Sequence, residues 1–278
     1  MAQQVALVTG ASSGIGAQTA RALHDAGFVV YGAARRVGRM RELAESGVRT
    51  LSMDVTDEAS LRAGVDRVLA ETGRIDVLVN NAGYGSYGAV EDVPTAEARA
   101  QFDVNVFGAA ALIRLVLPGM RERRSGTIVN ISSMGGRIYT PMGAWYHATK
   151  FALEALSDSL RLEVAPFGIR VVIVEPGAIR TEWGQIAADN LRAVSGGGAY
   201  RDVAERTATT LAGSSQPDAS MVSDPSVIAR TVVRAAKARR PRTRYAVGAG
   251  AKPLILTRTV LPDRVFDRLI TRVVAPRD

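Results

Sequence analysis

Tyr146 and Lys150 stand four residues apart in a stretch of helical spacing, which puts both side chains on one face, about a turn apart. That proximity has a chemical use. A nearby ammonium favours the phenolate, so a phenol that ordinarily titrates near ~10 can donate and accept protons closer to neutral pH. An isolated Y-x-x-x-K is a frequent accident, so its weight depends on its surroundings. The other chemistry available is limited. With no cysteine, a thiolate nucleophile, a disulfide framework and a Cys-ligated metal are excluded, and His24 and His147 alone cannot make a His-rich metal site. The expected site therefore contains no metal.

A second cluster points to phosphate. Thr9-Gly10-Ala11-Ser12-Ser13-Gly14-Ile15-Gly16 lies between an apolar run and a helical one. Glycines at a strand-to-helix turn let the backbone approach a pyrophosphate, whose charge is met by amide N–H groups and the positive helix end. The spacing differs from the common G-x-G-x-x-G fingerprint, and a Gly-rich turn can be only a tight connection. The next strand end adds information. Where NAD-binding folds place an acid against the ribose, this chain has Ala34, Arg35 and Arg36. One or both guanidiniums can hold a 2′-phosphate, so NADP(H) is expected over NAD(H). The bland alternative is two solvated surface charges.

These groups must be positioned by something. Short Val- and Ile-rich runs at 5–9, 29–33, 49–53, 77–80, 127–131, 170–175 and 244–247 alternate with helical spacing, the pattern of strands joined by crossover helices. Several are continuously apolar, as a parallel sheet covered on both faces requires. The expected fold class is α/β, a doubly wound, Rossmann-type parallel sheet of about seven strands. A single domain covers residues 1–278 and carries a small lid at 184–224 and a C-terminal helical extension at 254–278. The lid expectation comes from the Gly-, Ser-, Ala- and Thr-rich composition and from Gly196-Gly197-Gly198. Long helices are predicted over 96–123 and 144–165, with Pro118 and Pro166 marking a kink or end.

Composition bounds the rest. The net charge of +8 comes almost wholly from arginine spread along the chain, with Lys150, Lys237 and Lys252 as the lysines, so a nucleic-acid partner is not expected. No signal peptide or uncharged apolar run of about 18 residues is visible, so no membrane span is expected and a cytoplasmic location fits. At 261–274, Leu261, Val265, Phe266, Leu269 and Ile270 alternate with Arg264, Arg268 and Arg272. The ordinary reading is a docked terminal helix. A membrane-surface or substrate-covering role is the alternative.

The motifs, taken in order, resemble the short-chain dehydrogenase/reductase family in its T-G-x-x-x-G-x-G subfamily, over residues 5–181. They comprise the glycine motif, Asp54 after the third strand, Asn80-Asn81-Ala82-Gly83 after the fourth, and Asn105 in the following helix. Ser133, Tyr146 with Lys150, and Pro176-Gly177 with Thr181 complete them. The resemblance implies that Tyr146 is the general acid/base and that Ser133, thirteen residues before it, hydrogen-bonds the substrate oxygen. Ser132 is then a supporting hydroxyl. Lys150 would lower the Tyr146 pKa and bind the nicotinamide ribose, and Asn105 would hold a water that relays protons. Gly10, Ser12, Ser13, Gly14, Ile15 and Gly16 would hold the pyrophosphate, and Asp54 and Val55 the adenine. Asn81, Ala82 and Gly83 would line the adenine-ribose region. Pro176, Gly177 and Ile179 would lie by the nicotinamide, and Thr181 would meet its carboxamide or the phosphates. For Asn80, sheet stabilisation is as good a reading as contact.

Substrate class is expected from the lining by residues 82–88, 135–145 and the loop after Thr181: Tyr84, Met134, Ile138, Met142, Trp145 and Trp183 suit a hydrophobic ketone or aldehyde and its alcohol better than a sugar or hydroxy acid. Tyr84-Gly85 and Ala34-Arg35-Arg36 make the chain similar to 17-beta-hydroxysteroid and retinol dehydrogenase-like members, without assigning a steroid. The family also implies a homodimer or homotetramer. Nucleotide-sugar epimerases share the Tyr-Lys pair but read T-G-x-x-G-x-x-G, and regulatory NADP sensors on this fold lack the Tyr or the Lys.

Overall fold

The apolar runs become seven strands, β1 (Val5–Thr9), β2 (Val29–Ala34), β3 (Arg49–Ser52), β4 (Val77–Asn80), β5 (Gly126–Ile131), β6 (Ile169–Pro176) and β7 (Arg244–Val247). They are taken from a computed structural model that describes residues 3–216 and 221–274. All pair in parallel in the order β3-β2-β1-β4-β5-β6-β7. Every residue of β1, β4 and β5 is buried, which requires helices on both faces.

Strand alternation feeds two separate cores. Val8, Val79, Val129 and Val172 face one side, beneath α1 (Gly14–Asp25) and α9 (Ser226–Lys237), where Leu23, Ile228 and Val232 meet them. Their neighbours Leu7, Leu78, Ile128 and Val171 face the other, with Val65, Leu112 and Leu160 of α3 (Glu58–Thr72), α5 (Gly108–Glu122) and α6 (Ala144–Val164). Strand order reverses between β1 and β4, and the crevice at such a switch point is where this class of sheet binds ligands.

The helical run predicted over 96–123 is α4 (Thr95–Phe102), a π turn at Asp103–Phe107, and α5, which continues through Pro118. It is the one described helical stretch long and apolar enough to cross a membrane, and Leu112, Ile113, Val116 and Met120 pack in the sheet's core. A short helix, α2 (Arg41–Glu45), follows β2.

The expected loop at 184–224 is instead largely helical. It forms α7 (Trp183–Ser195) and α8 (Arg201–Gly213), with the triple glycine between them and 217–220 outside the described residues. Its small residues serve packing rather than mobility. Ala187, Ala188, Ala204 and Ala208 are fully buried where the two helices meet.

At the C-terminus, α10 (Ala251–Val260) and α11 (Asp263–Val274) form the expected extension, of which residues 275–278 lie outside the described residues. Phe266 and Ile270 bury themselves with Ile138, Met134 and Tyr139, so the extension braces the segment that follows β5. The Tyr139 ring packs edge-on against Phe266 at 5.4 Å between centroids. Phe266→Ala removes a fully buried ring from a satellite cluster, a change that ordinarily costs ~3–5 kcal/mol. Tryptic cleavage at Arg258, Arg264 and Arg268 is expected to accelerate sharply while the sheet stays folded; unchanged cleavage would mean that Phe266 does not hold the extension.

Candidate active site

The residues singled out in the sequence converge on the carboxyl ends of the strands. Gly16, in the first turn of α1, leaves no room for a side chain, since a Cβ there would lie 2.2 Å from the Gly10 carbonyl oxygen. The loop is closed by hydrogen bonds from the end of β4. Asn81 Nδ2 donates to the carbonyls of Thr9 at 2.9 Å and Gly10 at 3.3 Å, and Thr9 Oγ1 accepts from the amides of Asn81 and Ala82, both at 3.0 Å. Asn81 therefore shapes the loop with its side chain, and the 81–83 segment presents backbone to the crevice. Asn80 donates to Asn130 at 2.9 Å, which in turn donates to Ser157, so its side chain ties β4 to β5 and α6.

The α1 terminus suits an anion. Ser13 leads into the helix without a side-chain cap, which leaves the first amide donors available to a phosphate. Ser12 and Ser13 line a cleft of about 240 Å³ with Ala11, Arg21 and Arg39. Ile15 packs against the core below, and Thr181 lies beside the loop, where a Cβ on Gly14 would meet its methyl at 3.1 Å. Arg35 and Arg36 are exposed just past β2 and form no ion pair among the described residues. Asp54 is turned back on its own chain: its carboxylate accepts from the Thr56 amide at 3.0 Å and hydroxyl at 2.8 Å, bonds that hold it below the usual range, the amide foremost. Val55 sits against Gly108 of α5. This set of amide donors fits the pyrophosphate of a dinucleotide.

Tyr146 and Lys150 are both buried in the first turns of α6. Burial pushes the Tyr146 phenol up to about 12, against a downward pull from the Ser133 hydroxyl. Burial outweighs the expected lowering by Lys150, whose ammonium also donates to the Ile131 carbonyl at 2.9 Å. Burial also brings Lys150 down to about 8, opposed by the carboxylate of Glu154 one turn further along. Of the two serines after β5, Ser133 is part-exposed beside Tyr146, whereas Ser132 is buried beside Glu154.

Asn105 is aimed inward by the π turn, a local widening common at functional sites. Its Oδ1 accepts from the Tyr84 amide at 3.0 Å, and its Nδ2 donates to the Tyr84 carbonyl at 2.9 Å and Thr149 Oγ1 at 3.0 Å. Gly83 lies between Asn105 and Lys150, 3.0 and 3.7 Å from where its Cβ would be. On the β6 side, a Cβ on Gly177 would meet the Ala249 carbonyl oxygen at 2.0 Å, so Pro176-Gly177 is fitted closely to the chain after β7. Ile179 packs on the first core and bridges to Ser223.

The matches to known proteins agree with this geometry. The short chain dehydrogenase family model covers residues 4–191. The chain belongs to the short-chain dehydrogenase family. It is 38% identical to a short-chain dehydrogenase of known structure from Streptomyces avermitilis, covering 98% of this chain and 97% of that one with a TM-score of 0.81. A metagenomic short-chain oxidoreductase solved in complex with NADP matches at 30% identity and TM-score 0.69, over 89% of this chain and 97% of that one. Among curated relatives, the 3-ketodihydrosphingosine reductase of Bacteroides thetaiotaomicron is 44% identical over 185 residues, 65% of this chain and 66% of that protein.

Within this dehydrogenase, the surroundings of Tyr146 differ in detail from the expected lining. Tyr87, rather than Tyr84, packs on Tyr146, at 5.7 Å between ring centroids, with Trp183 at 5.2 Å from Tyr146. The Tyr84 hydroxyl instead donates to Glu97 at 3.1 Å. Trp183 and Met142 belong to the Tyr146 cluster as expected, but Met134 and Ile138 pack beneath the C-terminal helices. Trp145 is half-buried, with its indole N–H unpaired among the described residues. His147 clamps the Ser133 loop: its Nε2 accepts from the Thr140 amide at 3.0 Å, so Nδ1 carries the proton and donates to the Gly135 carbonyl at 2.8 Å. Burial lowers its pKa, in keeping with this neutral form. Arg39, three residues past Arg36 in the 3-10 turn Val37–Met40, pairs with Glu182 at 2.7 Å and ties the segment after β2 to the start of α7. Only its type hinted at this.

Lys150 generates a stability prediction. Its folded pKa lies below the ordinary 10.5, so the unfolded chain holds the proton more tightly and the residue subtracts from stability below about pH 8. The deficit fades as pH rises from there to 10.5. Lys150→Met is expected to stabilise the fold by ~1–3 kcal/mol at pH 7, reduced by the lost bond to Ile131, while turnover collapses. Thermal unfolding with an unchanged or lower midpoint would contradict this account of Lys150.

Proposed function

We propose that this dehydrogenase interconverts a hydrophobic ketone or aldehyde and the corresponding alcohol, using NADP(H) rather than NAD(H). The observation that carries the reading is the buried Tyr146 hydroxyl, flanked by Ser133 and by the aromatic faces of Tyr87 and Trp183, at the sheet's carboxyl edge. When bound, the nicotinamide supplies or accepts the hydride. The protein's part is placement and proton handling. Ser133 donates to the substrate oxygen and holds it against Tyr146, which gives up its proton during reduction and takes one during oxidation. Lys150, cationic below about pH 8, stabilises the phenolate left behind.

Asn105 has committed both amide hydrogens to Tyr84 and Thr149, so a relay water there would be held by Oδ1 or the main chain. Gly10, Ser12, Ser13, Gly14, Ile15 and Gly16 with Thr181 hold the pyrophosphate, and Arg35, Arg36 or both meet the 2′-phosphate. Asp54, Val55, Ala82 and Gly83 lie along the adenosine, and Pro176, Gly177 and Ile179 along the nicotinamide. The NADP complex of the metagenomic relative supports the cofactor, and the aromatic lining supports an apolar substrate. The helices α7 and α8 serve as the substrate lid. A homo-oligomer built on the long helices would cover Phe107, Phe151 and Leu162, which stand exposed on them, and the lack of cysteine supports a reducing, cytoplasmic setting.

Tyr146→Phe is expected to lower NADPH-driven turnover of an apolar ketone at least ~100-fold with NADPH affinity retained. A drop of less than threefold, roughly, would remove Tyr146 from the reaction. The reduction rate of the unaltered chain should fall as pH rises through about 8, when Lys150 loses its proton. A flat profile from pH 7 to 9, approximately, would take Lys150 out of the proton path.

A further inference from the structure

Helix α11 has three distinct stripes at the helical period. Phe266 and Ile270 are buried against the segment after β5. Round the helix from them, Val265, Leu269 and Val273 are spaced by four and stand 45%, 38% and 52% exposed. Beyond these comes a third stripe, Arg264, Arg268 and Arg272, all exposed and without an ion pair or hydrogen bond to another side chain among the described residues. The acids of the same helix are occupied on the opposite flank. Asp263 pairs with Arg258 at 2.9 Å, and Asp267 accepts from the Tyr139 hydroxyl at 2.9 Å. The preceding α10 adds Leu256 and Val260, 64% and 66% exposed, together with exposed Lys252.

Docking to the body of the protein uses one apolar stripe, so the second has no partner among the described residues. We propose that α10 and α11 form an interfacial docking surface for an anionic lipid bilayer. Val265, Leu269 and Val273 enter the headgroup–acyl boundary, and the arginine stripe meets lipid phosphates. Charge decides between this occupant and a second copy of the chain. A self-complementary pairing through the same stripe brings three arginines from each copy into one interface, whereas a phosphate surface neutralises them.

The position of the surface gives it a use. α11 braces the segment 134–139 that follows Ser133, and its Val274 carbonyl accepts from Thr210 of α8, so docking would bring the lid and the site mouth to the bilayer. Delivery of an apolar substrate from the lipid rests on the function proposed above; the docking does not.

The test is co-sedimentation of the full chain with phosphatidylcholine vesicles, with and without phosphatidylglycerol. Binding to the anionic vesicles should exceed binding to the neutral ones at least ~10-fold. Val265→Ser with Leu269→Ser, and separately Arg264→Gln with Arg268→Gln, should each weaken it at least ~10-fold. Thermal unfolding of each variant, with turnover of a water-miscible ketone in lipid-free solution, shows that fold and chemistry persist, so loss of docking is read apart from loss of the enzymatic reading. Absence of vesicle binding would overturn the proposal, as would binding indifferent to the serine substitutions. A serine variant that lowers the solution mass without wild-type vesicle binding would assign the stripe to a second copy.

Discussion

Two titratable side chains, Tyr146 and Lys150, are held almost without water at the edge of the sheet, and the surrounding structure is organised around that cost. Burial favours the neutral form of each, driving the phenol up to about 12 and the ammonium down to about 8. Neither is left unsupported. Lys150 is held by the Ile131 carbonyl at the end of β5, and Glu154 on the next turn favours its charge. Ser133 is kept beside Tyr146 by a loop that closes through its own hydroxyl, which accepts from the Gly135 amide at 3.0 Å, and through neutral His147.

Beneath Lys150 the support becomes ionic. Glu154 and Glu175 are both buried, and burial raises both carboxyl pKa values. Arg244 of β7 reaches Glu154 at 3.0 Å and Glu175 at 3.5 Å and also binds Asp158, while Arg137 approaches Glu175 at 3.4 Å. A buried carboxylate without such partners is strongly destabilising, so the network fixes α6 against β6 and β7. This anchors the helix that carries Tyr146 and Lys150. The edge strand β7 thus matters to the site through Arg244 and through the Val247 carbonyl, which accepts from the Gly177 amide.

Most of the sheet was legible because its signals are local. Continuous Val and Ile runs located the strands to within a residue or two, and the glycine motif and the arginines after β2 appear at the strand ends where they were expected. The helices of 184–224 are not legible because their signal is not local. Alanine, serine and glycine suggest mobility until a second helix supplies the surface against which Ala187 and Ala204 pack. Distances across the fold were likewise invisible. The spacing of Tyr146 and Lys150 revealed their common helix but not the carbonyl that draws Lys150 aside, and nothing in the sequence linked Arg39 to Glu182.

The proposed function depends most on a dinucleotide with a 2′-phosphate binding at the β1–β4 switch point, because the proton chemistry proposed for Tyr146 has no purpose without a hydride partner. Titration of the apo-protein with NADPH and NADH, followed by nicotinamide fluorescence, tests this with no substrate in hand. NADPH binding at least ~10-fold tighter, a difference of about 1.4 kcal/mol, is the predicted result. Tighter NADH binding would make Arg35 and Arg36 surface charges, and binding of neither would contradict the central claim.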